Sequence, residues 1–304
     1  MRADIAQALA SGPVVLDGGL ATRLEARGND LSSALWSARL LTDDPDEIAA
    51  AHTDFYAAGA QLAISASYQA SFEGFAGLGI DRAGAERLMR LSVRLAGRAR
   101  DEFPDAGPRW VAASVGPYGA VLADGSEYRG DYGLTVAQLR EWHRPRLAVL
   151  ADAGADLLAI ETIPCAAEAE ALLAEIDGTG VPAWLSLSCA RSAGGLRTRA
   201  GEPVAEVFAT AADVAEVVAV GVNCCDAQDA ADLVASAVAA SGKPGVVYPN
   251  SGERWDGHSR RWTGPGTFRP ELVAGWIAAG AALVGGCCRV GPEAIAAIRA
   301  QLDR

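Results

Sequence analysis

The sequence contains few histidines and no excess of positive charge. Its 304 residues include 38 acidic side chains, 26 basic ones and three histidines, which gives a formal net charge of −12. Nucleic acids and anionic membrane surfaces are bound by basic patches, so this balance argues against both as partners. Half of the residues are apolar and 21% are charged. Such a composition is typical of a folded globular chain, and it leaves the oligomeric state open.

The sequence also lacks a targeting segment and an apolar run of membrane length. Asp4 and Pro13 interrupt the N-terminal residues, which therefore do not resemble a signal peptide. The longest uncharged run, from Leu272 to Cys288, has 17 residues, and its glycines divide it into the end of a helix and a strand. We therefore predict a cytoplasmic protein.

Six cysteines are too few in a chain of this length for a disulfide scaffold. Four of them form two adjacent pairs, Cys224-Cys225 and Cys287-Cys288. Neighbouring cysteines bridge each other only with strain, so the pattern favours reduced thiols that are available for chemistry.

Short apolar runs alternate with longer Ala-rich stretches of helical character. The runs are apolar throughout, which is typical of strands that are covered on both faces. The predicted strands are Val14–Gly19, Leu62–Tyr68, Trp110–Gly116, Leu157–Thr162, Ala183–Cys189, Val217–Cys224, Gly245–Asn250 and Ala281–Cys288. Predicted helices between them include Pro45–Ala58, Arg82–Arg100, Thr135–Ala153, Ala166–Ile176 and Ala227–Ser241.

Eight strands that alternate with helices over about 300 residues predict a (β/α)8 TIM barrel, an α/β fold, with residues 1–304 forming a single domain. An open doubly wound sheet is the alternative. It would usually carry a glycine fingerprint after its first strand, and Asp17-Gly18-Gly19 is not that fingerprint. No Walker-type loop and no linker interrupts the pattern.

In such a barrel, binding and catalytic groups lie at the carboxyl ends of the strands. Polar or sulfur-bearing side chains stand at these ends here: Asp17, Ser65, Ser67, Ser114, Glu161, Ser188, Cys189, Asn223, Cys224, Tyr248, Asn250, Cys287 and Cys288. Strands 6 and 8 both end in cysteines, and closure of the barrel would bring three or four thiols together. Thiolates with almost no histidine favour zinc, and three protein ligands leave the open position that is typical of a catalytic site.

These residues also have simpler interpretations. Free cysteine is often a small core residue, which is the interpretation we favour for Cys165 and Cys189. Asp17 and Glu161 fit helix N-caps or salt-bridged acids as well as a pair of carboxylates that binds an ammonium group.

At these positions the sequence resembles the homocysteine S-methyltransferases, and the resemblance covers essentially the whole chain. The matching motifs are Leu16-Asp17-Gly18-Gly19-Leu20, Glu161-Thr162-Ile163-Pro164, Gly221-Val222-Asn223-Cys224 and Gly285-Gly286-Cys287-Cys288. The resemblance implies a zinc ion bound by Cys224, Cys287 and Cys288, with Cys225 as a neighbour outside the ligand set.

By the same resemblance, substrate-binding residues surround the zinc site. Asp17 and Glu161 would hold the amino group of homocysteine, Gly18 and Gly19 would line its pocket, and Asn223 would also contribute to substrate binding. No catalytic side chain is assigned, because the zinc-activated thiolate of the substrate is the nucleophile.

Two further motifs narrow the resemblance to the bacterial and plant members. They are the segment from Ser114 to Gly119, followed by Ala123 to Tyr132, and the segment Tyr248-Pro249-Asn250-Ser251-Gly252-Glu253. That branch uses S-methylmethionine, and often S-adenosylmethionine, as methyl donor and produces methionine. A methyltransferase that uses betaine or another donor is the alternative.

The implied chemistry suits a site made only of thiolates. A free thiol has a pKa of about 8.5, and only its thiolate is a good nucleophile. Zinc deprotonates a coordinating thiol, and three protein thiolates already cancel the charge of the metal, so the substrate sulfur keeps its electron density. In-line attack on a sulfonium donor then needs positioning rather than a general base.

A cationic donor favours an acidic cavity lined by aromatic rings. The candidate aromatic residues are Trp36, Tyr68, Tyr128, Tyr248 and Trp262, with ordinary loop packing as the alternative. The stretch from Gly252 to Thr267 is long for a βα loop and is a candidate lid; an interface or a mobile loop is the alternative.

Two other functions compete with methyl transfer. One is a non-catalytic zinc or redox-sensing barrel in which the adjacent cysteines act as a switch. The other is a phosphate-handling barrel enzyme, which is disfavoured because no basic, glycine-rich site follows strands 7 and 8.

Overall fold

The computed structural model describes residues 4–31, 35, 37–256 and 261–303, with the backbone alone at 254–256 and 261–262. Within this part of the chain, no helix is long and apolar enough to cross a membrane.

Eight parallel strands form one sheet. They are β1 (Val14–Val15), β2 (Leu62–Ile64), β3 (Trp110–Val115), β4 (Leu157–Ile163), β5 (Ala183–Leu187), β6 (Val217–Asn223), β7 (Gly245–Tyr248) and β8 (Ala281–Val284). Their order is β1-β8-β7-β6-β5-β4-β3-β2, and a parallel bridge between Leu16 and Leu62 joins the two outer strands. The predicted (β/α)8 barrel is confirmed, and the open doubly wound sheet is wrong.

Helices surround the barrel and follow its strands. They are α1 (Ile5–Ser11), α2 (Leu20–Ala26), α3 (Ser37–Asp43), α4 (Pro45–Ala57), α5 (Phe72–Ala76), α6 (Arg82–Asp101), α7 (Tyr118–Leu122), α8 (Val136–Ala151), α9 (Ala166–Ile176), α10 (Val204–Ala209), α11 (Ala230–Ser241), α12 (Leu272–Ala278) and α13 (Pro292–Leu302), with a 3₁₀ turn at Ser126–Tyr128. The five predicted helices all form, with ends that differ from the prediction by at most three residues.

Several predicted strands extend too far at their carboxyl ends. Strand β1 ends at Val15 rather than Gly19. Leu16 still forms a single bridge to Leu62, and the two glycines that follow Asp17 turn away from the sheet to contact the chain after β8. The N–H of Gly19 donates to the carbonyl of Val290 at 3.0 Å, and the N–H of Gly286 donates to the carbonyl of Asp17 at 3.1 Å. These turns place the strand-end side chains on one face of the barrel.

Strand β5 is likewise shorter than predicted, because Cys189 belongs to a different element. It begins a two-stranded antiparallel hairpin, Cys189–Ser192 with Gly195–Thr198. A second hairpin, Arg254–Asp256 with Arg261–Thr263, forms within the long loop after β7.

The strands are apolar on both faces because they separate two hydrophobic layers. The barrel interior contains alternate residues of the strands, such as Ala112, and helix α1 adds Ile5 and Leu9 to it. The neighbouring residues Val111 and Ala113 belong to the outer layer, between the sheet and the helices. This double burial explains why the strands read as continuous apolar runs.

Candidate active site

Three of the cysteines form a cluster at the carboxyl ends of β6 and β8. The sulfur atoms of Cys224, Cys287 and Cys288 all lie within 4.8 Å of one another, and those of Cys224 and Cys287 are 2.9 Å apart. Three sulfurs that each lie about 2.3 Å from one tetrahedral zinc ion are about 3.8 Å from each other. The cluster therefore has the donor type and the size of a three-cysteine metal site.

The backbone that carries the cluster is tightly constrained. Cys224 adopts the left-handed conformation, with φ of 49°. Asn250 connects the two cysteine loops, because its N–H donates to the carbonyl of Cys225 at 3.0 Å and its Oδ1 accepts from the N–H of Cys288 at 3.1 Å. The thiols are thus brought together by hydrogen bonds among the loops that follow β6, β7 and β8.

The thiols influence one another's ionisation. Hydrogen bonds from Cys287 and Cys288 lower the pKa of Cys224 well below its usual value, and the thiolate of Cys224 in turn raises the pKa of both partners. Ionisation of one thiol therefore disfavours ionisation of the other two, and a bound cation would favour all three as thiolates.

The cysteine cluster opens into a cavity of about 810 Å³, part of which is open to solvent. Its chemically distinctive lining residues are Gly18, Gly19, Tyr68, Glu127, Tyr128, Glu161, Thr162, Cys224, Tyr248, Cys287 and Cys288. No Lys or Arg is among the described residues that line it. The cavity therefore suits ligands with positive charge.

Glu161, on β4, projects into this cavity. Its carboxylate accepts hydrogen bonds from the hydroxyl of Ser114 and, at 3.1 Å, from that of Tyr248. Burial raises the pKa of Glu161 to about 7, although these two hydrogen bonds oppose the rise. A buried carboxylate with such a pKa is a favourable acceptor for an ammonium group.

Asp17 is buried close to Glu161 but is not one of the residues that line the cavity. Its Oδ2 accepts the N–H of Ile64 at 2.9 Å, whereas its Oδ1 has no hydrogen-bond partner among the described residues. Burial raises the pKa of Asp17 well above its usual value, and the charge of Glu161 adds to the rise.

The simpler interpretations of the two acids are not supported. Neither Asp17 nor Glu161 forms a salt bridge with a described residue, and neither caps a helix. Helix α2 begins after Gly19, and Glu161 lies inside β4. Two buried acids that have no cationic partner in the described part of the chain are consistent with a cationic ligand.

The two glycines after β1 are required by close approach of the chain. A Cβ on Gly18 would lie 2.3 Å from the carbonyl oxygen of Val290, and one on Gly19 would lie 2.6 Å from that of Cys287. The Asp-Gly-Gly turn is therefore pressed against the loop that carries two of the three clustered cysteines.

Asn223 has a different environment from the one implied for a substrate-binding residue. It is fully buried and does not line the cavity. Its Oδ1 accepts from the N–H of Thr162 at 2.8 Å and from the hydroxyl of Ser186 at 2.7 Å, and its amide donates to Oγ1 of Thr162 at 2.6 Å. These bonds hold Thr162 in a left-handed conformation, with φ of 62°. A direct role of Asn223 in substrate binding stays a prediction.

Known proteins match almost the whole chain. The family model of homocysteine S-methyltransferase matches residues 14–302. Homocysteine S-methyltransferase YbgG of Bacillus subtilis (strain 168) is 44% identical over 299 residues, which cover 94% of this chain and 93% of the relative. Homocysteine S-methyltransferase of Escherichia coli (strain K12) is 46% identical over 298 residues, which cover 95% and 94%. The chain belongs to the homocysteine S-methyltransferase family. The resemblance inferred from the motifs is confirmed.

The fold also matches a solved structure of the family. The homocysteine methyltransferase MmuM of Escherichia coli, in its metallated form, superimposes with a TM-score of 0.85 at 43% identity, over 95% of this chain and 96% of that one. A metallated relative and the cluster of three thiols agree that the family site in this chain is a metal site.

Three of the five predicted aromatic residues line the cavity of this homocysteine S-methyltransferase family member. Tyr68, Tyr128 and Tyr248 line it, and Tyr248 also accepts a hydrogen bond from the indole of Trp184 at 3.0 Å. Trp36 and the side chain of Trp262 lie outside the described residues. The candidate lid, Gly252 to Thr267, contains the second hairpin, and since residues 257–260 are not described, its role as a lid stays a prediction.

The remaining cysteines lie outside the cluster. Cys165 and Cys189 are buried, as expected for core residues, and Cys225 is buried beside Cys224 without joining the group of three.

Two residues of this site were not predicted from the sequence. Glu127 lines the cavity from the 3₁₀ turn, although it lies inside a motif that carried the family resemblance. Arg199 donates to the carbonyl of Cys224 at 3.2 Å and to the hydroxyl of Ser188 at 3.0 Å, so it connects the first hairpin to the cysteine loop. No sequence signal distinguished Arg199 from other surface arginines.

Proposed function

We propose that this chain transfers a methyl group from S-methylmethionine, and also from S-adenosylmethionine, to the thiol of homocysteine, and so produces methionine. The observation that carries the proposal is the composition of one cavity. Three clustered thiols and the carboxylates of Glu127 and Glu161 line it, and no Lys or Arg is among its described lining residues. The thiol of homocysteine suits the metal site of the three cysteines. Its ammonium group and the cationic sulfur of the donor suit the carboxylates of the cavity.

Zinc is the metal that the donor set supports best. Cys224, Cys287 and Cys288 would hold it, since three sulfur ligands without histidine select a soft or borderline metal such as zinc. When bound, zinc supplies the Lewis acidity that deprotonates a coordinating substrate thiol near neutral pH. The three cysteines also leave a fourth tetrahedral position for a ligand, as catalytic sites do.

Asp17 and Glu161 would bind the ammonium group of homocysteine. Glu161 is already oriented by Ser114 and Tyr248, and Asp17 has one buried oxygen that lacks a partner. An ammonium group would supply donors to both carboxylates and lower their pKa values, so that both carry charge in the complex. The close backbone approach at Gly19 would bring homocysteine next to the cysteine loop.

Methyl transfer would then proceed by in-line displacement. The thiolate sulfur of homocysteine forms a bond to the methyl carbon, the bond from that carbon to the sulfonium sulfur breaks, and its electron pair stays on the donor sulfur. No proton moves in this step, so the cavity contributes mainly by positioning the two substrates. With S-methylmethionine, both products are methionine.

The competing functions fit the cavity less well. A phosphate-handling enzyme needs cationic groups at its site, and none is provided by the described lining residues. A purely structural zinc site would have a fourth protein ligand, whereas the described residues supply three to this cluster.

The single-domain organisation and the cellular location are also proposals. We propose that residues 1–304 act as one homocysteine-binding domain. All six cysteines are free thiols, which suits a reducing compartment such as the cytoplasm.

A panel of methyl donors tests the proposed function. Zinc-loaded protein and homocysteine are incubated with S-methylmethionine, S-adenosylmethionine, betaine or methyl-folate, and methionine formation is measured. We expect S-methylmethionine to give the highest rate, and Cys287→Ala to lose both zinc and activity. Full activity in metal-free protein, or activity confined to betaine or methyl-folate, would contradict the proposal.

A further inference from the structure

The cavity contains a second carboxylate, Glu127, for which homocysteine binding gives no role. Glu161 is engaged by Ser114 and Tyr248, whereas Oε2 of Glu127 is buried and has no hydrogen-bond partner among the described residues. A buried carboxylate oxygen without a partner is unfavourable, because the hydrogen bonds that it made to water are not replaced. Such an oxygen at the wall of a ligand cavity indicates that a ligand group supplies the missing partner.

The position of Glu127 is fixed by its backbone. It lies in the middle of the turn Ser126–Tyr128, which packs so closely on Gly119 that a Cβ there would be 2.5 Å from the nitrogen of Glu127. The N–H of Ser126 donates to Oδ1 of Asp124 at 2.9 Å and closes the start of the turn. The carboxylate is therefore held at the cavity wall, and it forms no salt bridge with a described residue.

Two aromatic rings accompany Glu127 in the lining, Tyr68 and Tyr128. Both rings and Glu127 line the same cavity as the sulfur-bearing residues Cys224, Cys287 and Cys288. Arg199 lies over the ring of Tyr128 at 5.6 Å from its centroid but does not line the cavity. A carboxylate and two aromatic rings, with no Lys or Arg among the described lining residues, form a site for a ligand with a diffuse positive charge.

We infer that Glu127, together with the rings of Tyr68 and Tyr128, binds the sulfonium group of the methyl donor and thereby makes the site selective for cationic donors. This inference rests on the proposed function, since the donor's sulfonium must approach the thiolate of homocysteine at the cysteine end of the cavity. Glu127 contributes chiefly to donor binding, because the positive charge that it stabilises disappears as the methyl group leaves.

Calorimetric binding to zinc-loaded protein tests this role with two ligands of the same shape. One is S-methylmethionine, and the other is homoleucine, in which a CH group replaces the sulfonium sulfur. In Glu127→Gln, the affinity for S-methylmethionine should fall about tenfold or more, whereas the affinity for homoleucine should change less than about twofold. Homocysteine affinity and zinc content should be unchanged.

Asp131→Asn is the matched control, because it removes the same charge from an exposed position in the same loop. It should bind both ligands as the wild type does. Equal losses for S-methylmethionine and homoleucine in Glu127→Gln, or no loss for either, would overturn the inference. Because binding is measured without turnover, a wild type that binds S-methylmethionine selectively but forms no methionine would contradict the proposed function and leave the role of Glu127 in place.

Discussion

Glu161→Gln should remove a pH dependence from homocysteine binding. Burial raises the pKa of Glu161 to about 7, and only the ionised carboxylate attracts the ammonium group. Between pH 6 and pH 7.5 the ionised fraction of such a group rises from about 0.1 to about 0.8. The contribution of Glu161 to homocysteine affinity should therefore increase about eightfold over this range and be lost as the pH falls through 7.

The assay compares homocysteine with 4-mercaptobutyrate, which has the same thiol but no amino group. Calorimetric titration of zinc-loaded protein gives both affinities at each pH, and their ratio cancels the pH dependence of thiol ionisation. The ratio should rise about eightfold or more from pH 6 to pH 7.5 in the wild type. The part of this rise that Glu161 contributes should be absent in Glu161→Gln, where only Asp17 can still titrate beside the ammonium group. Glu127→Gln serves as the control and should keep the rise. A constant ratio in the wild type, or the same rise in Glu161→Gln, would refute the assignment of Glu161 to the amino group.

Three further predictions concern stability and metal binding. Between pH 4.5 and about 7 the folded protein keeps the proton of Glu161 and the unfolded chain does not, so the wild type loses stability as the pH rises through this window. In denaturant titrations, the free energy of unfolding of Glu161→Gln should exceed that of the wild type by about 3 kcal/mol at pH 8 and equal it below pH 4.5. Cys225→Ser should retain one zinc ion per chain in metal analysis, whereas Cys287→Ser should lose it; equal retention would contradict the ligand set. Asn223→Ala should lower the free energy of unfolding by about 2 kcal/mol or more, because the buried N–H of Thr162 loses its acceptor, and an unchanged denaturation midpoint would contradict this role.

The barrel could be predicted from the sequence because burial on both faces leaves a simple pattern. Ala112 faces the interior and its neighbours Val111 and Ala113 face the helices, so the whole of β3 is apolar. The ends of strands could not be predicted in the same way. Gly19 leaves the sheet because of its contact with Val290, which is distant in sequence, and no local pattern contains that information.

The cysteine cluster was predictable because the barrel places the ends of β6 and β8 on the same face, where Cys224, Cys287 and Cys288 meet. Glu127 was not predictable. Its neighbours Asp124, Arg129 and Asp131 are charged, as in a solvated loop, and only the packing of its turn on Gly119 brings it to the cavity wall. The direction of a loop side chain depends on such contacts rather than on its own sequence.

The role of Asn223 shows the same limit. Its position beside Cys224 in a family motif associated it with substrate binding, which stays a prediction, whereas the hydrogen bonds that the structure shows go to Thr162 and Ser186. Sequence proximity to a ligand residue does not distinguish contact with the substrate from support of the backbone.

The central claim is that three cysteines hold zinc and leave one position for homocysteine. X-ray absorption at the zinc edge, with and without homocysteine, measures this directly. We expect three sulfur ligands and one lighter ligand in the free protein, and four sulfur ligands after homocysteine is added. Four sulfur ligands already present without homocysteine, or a spectrum that homocysteine does not change, would contradict the account.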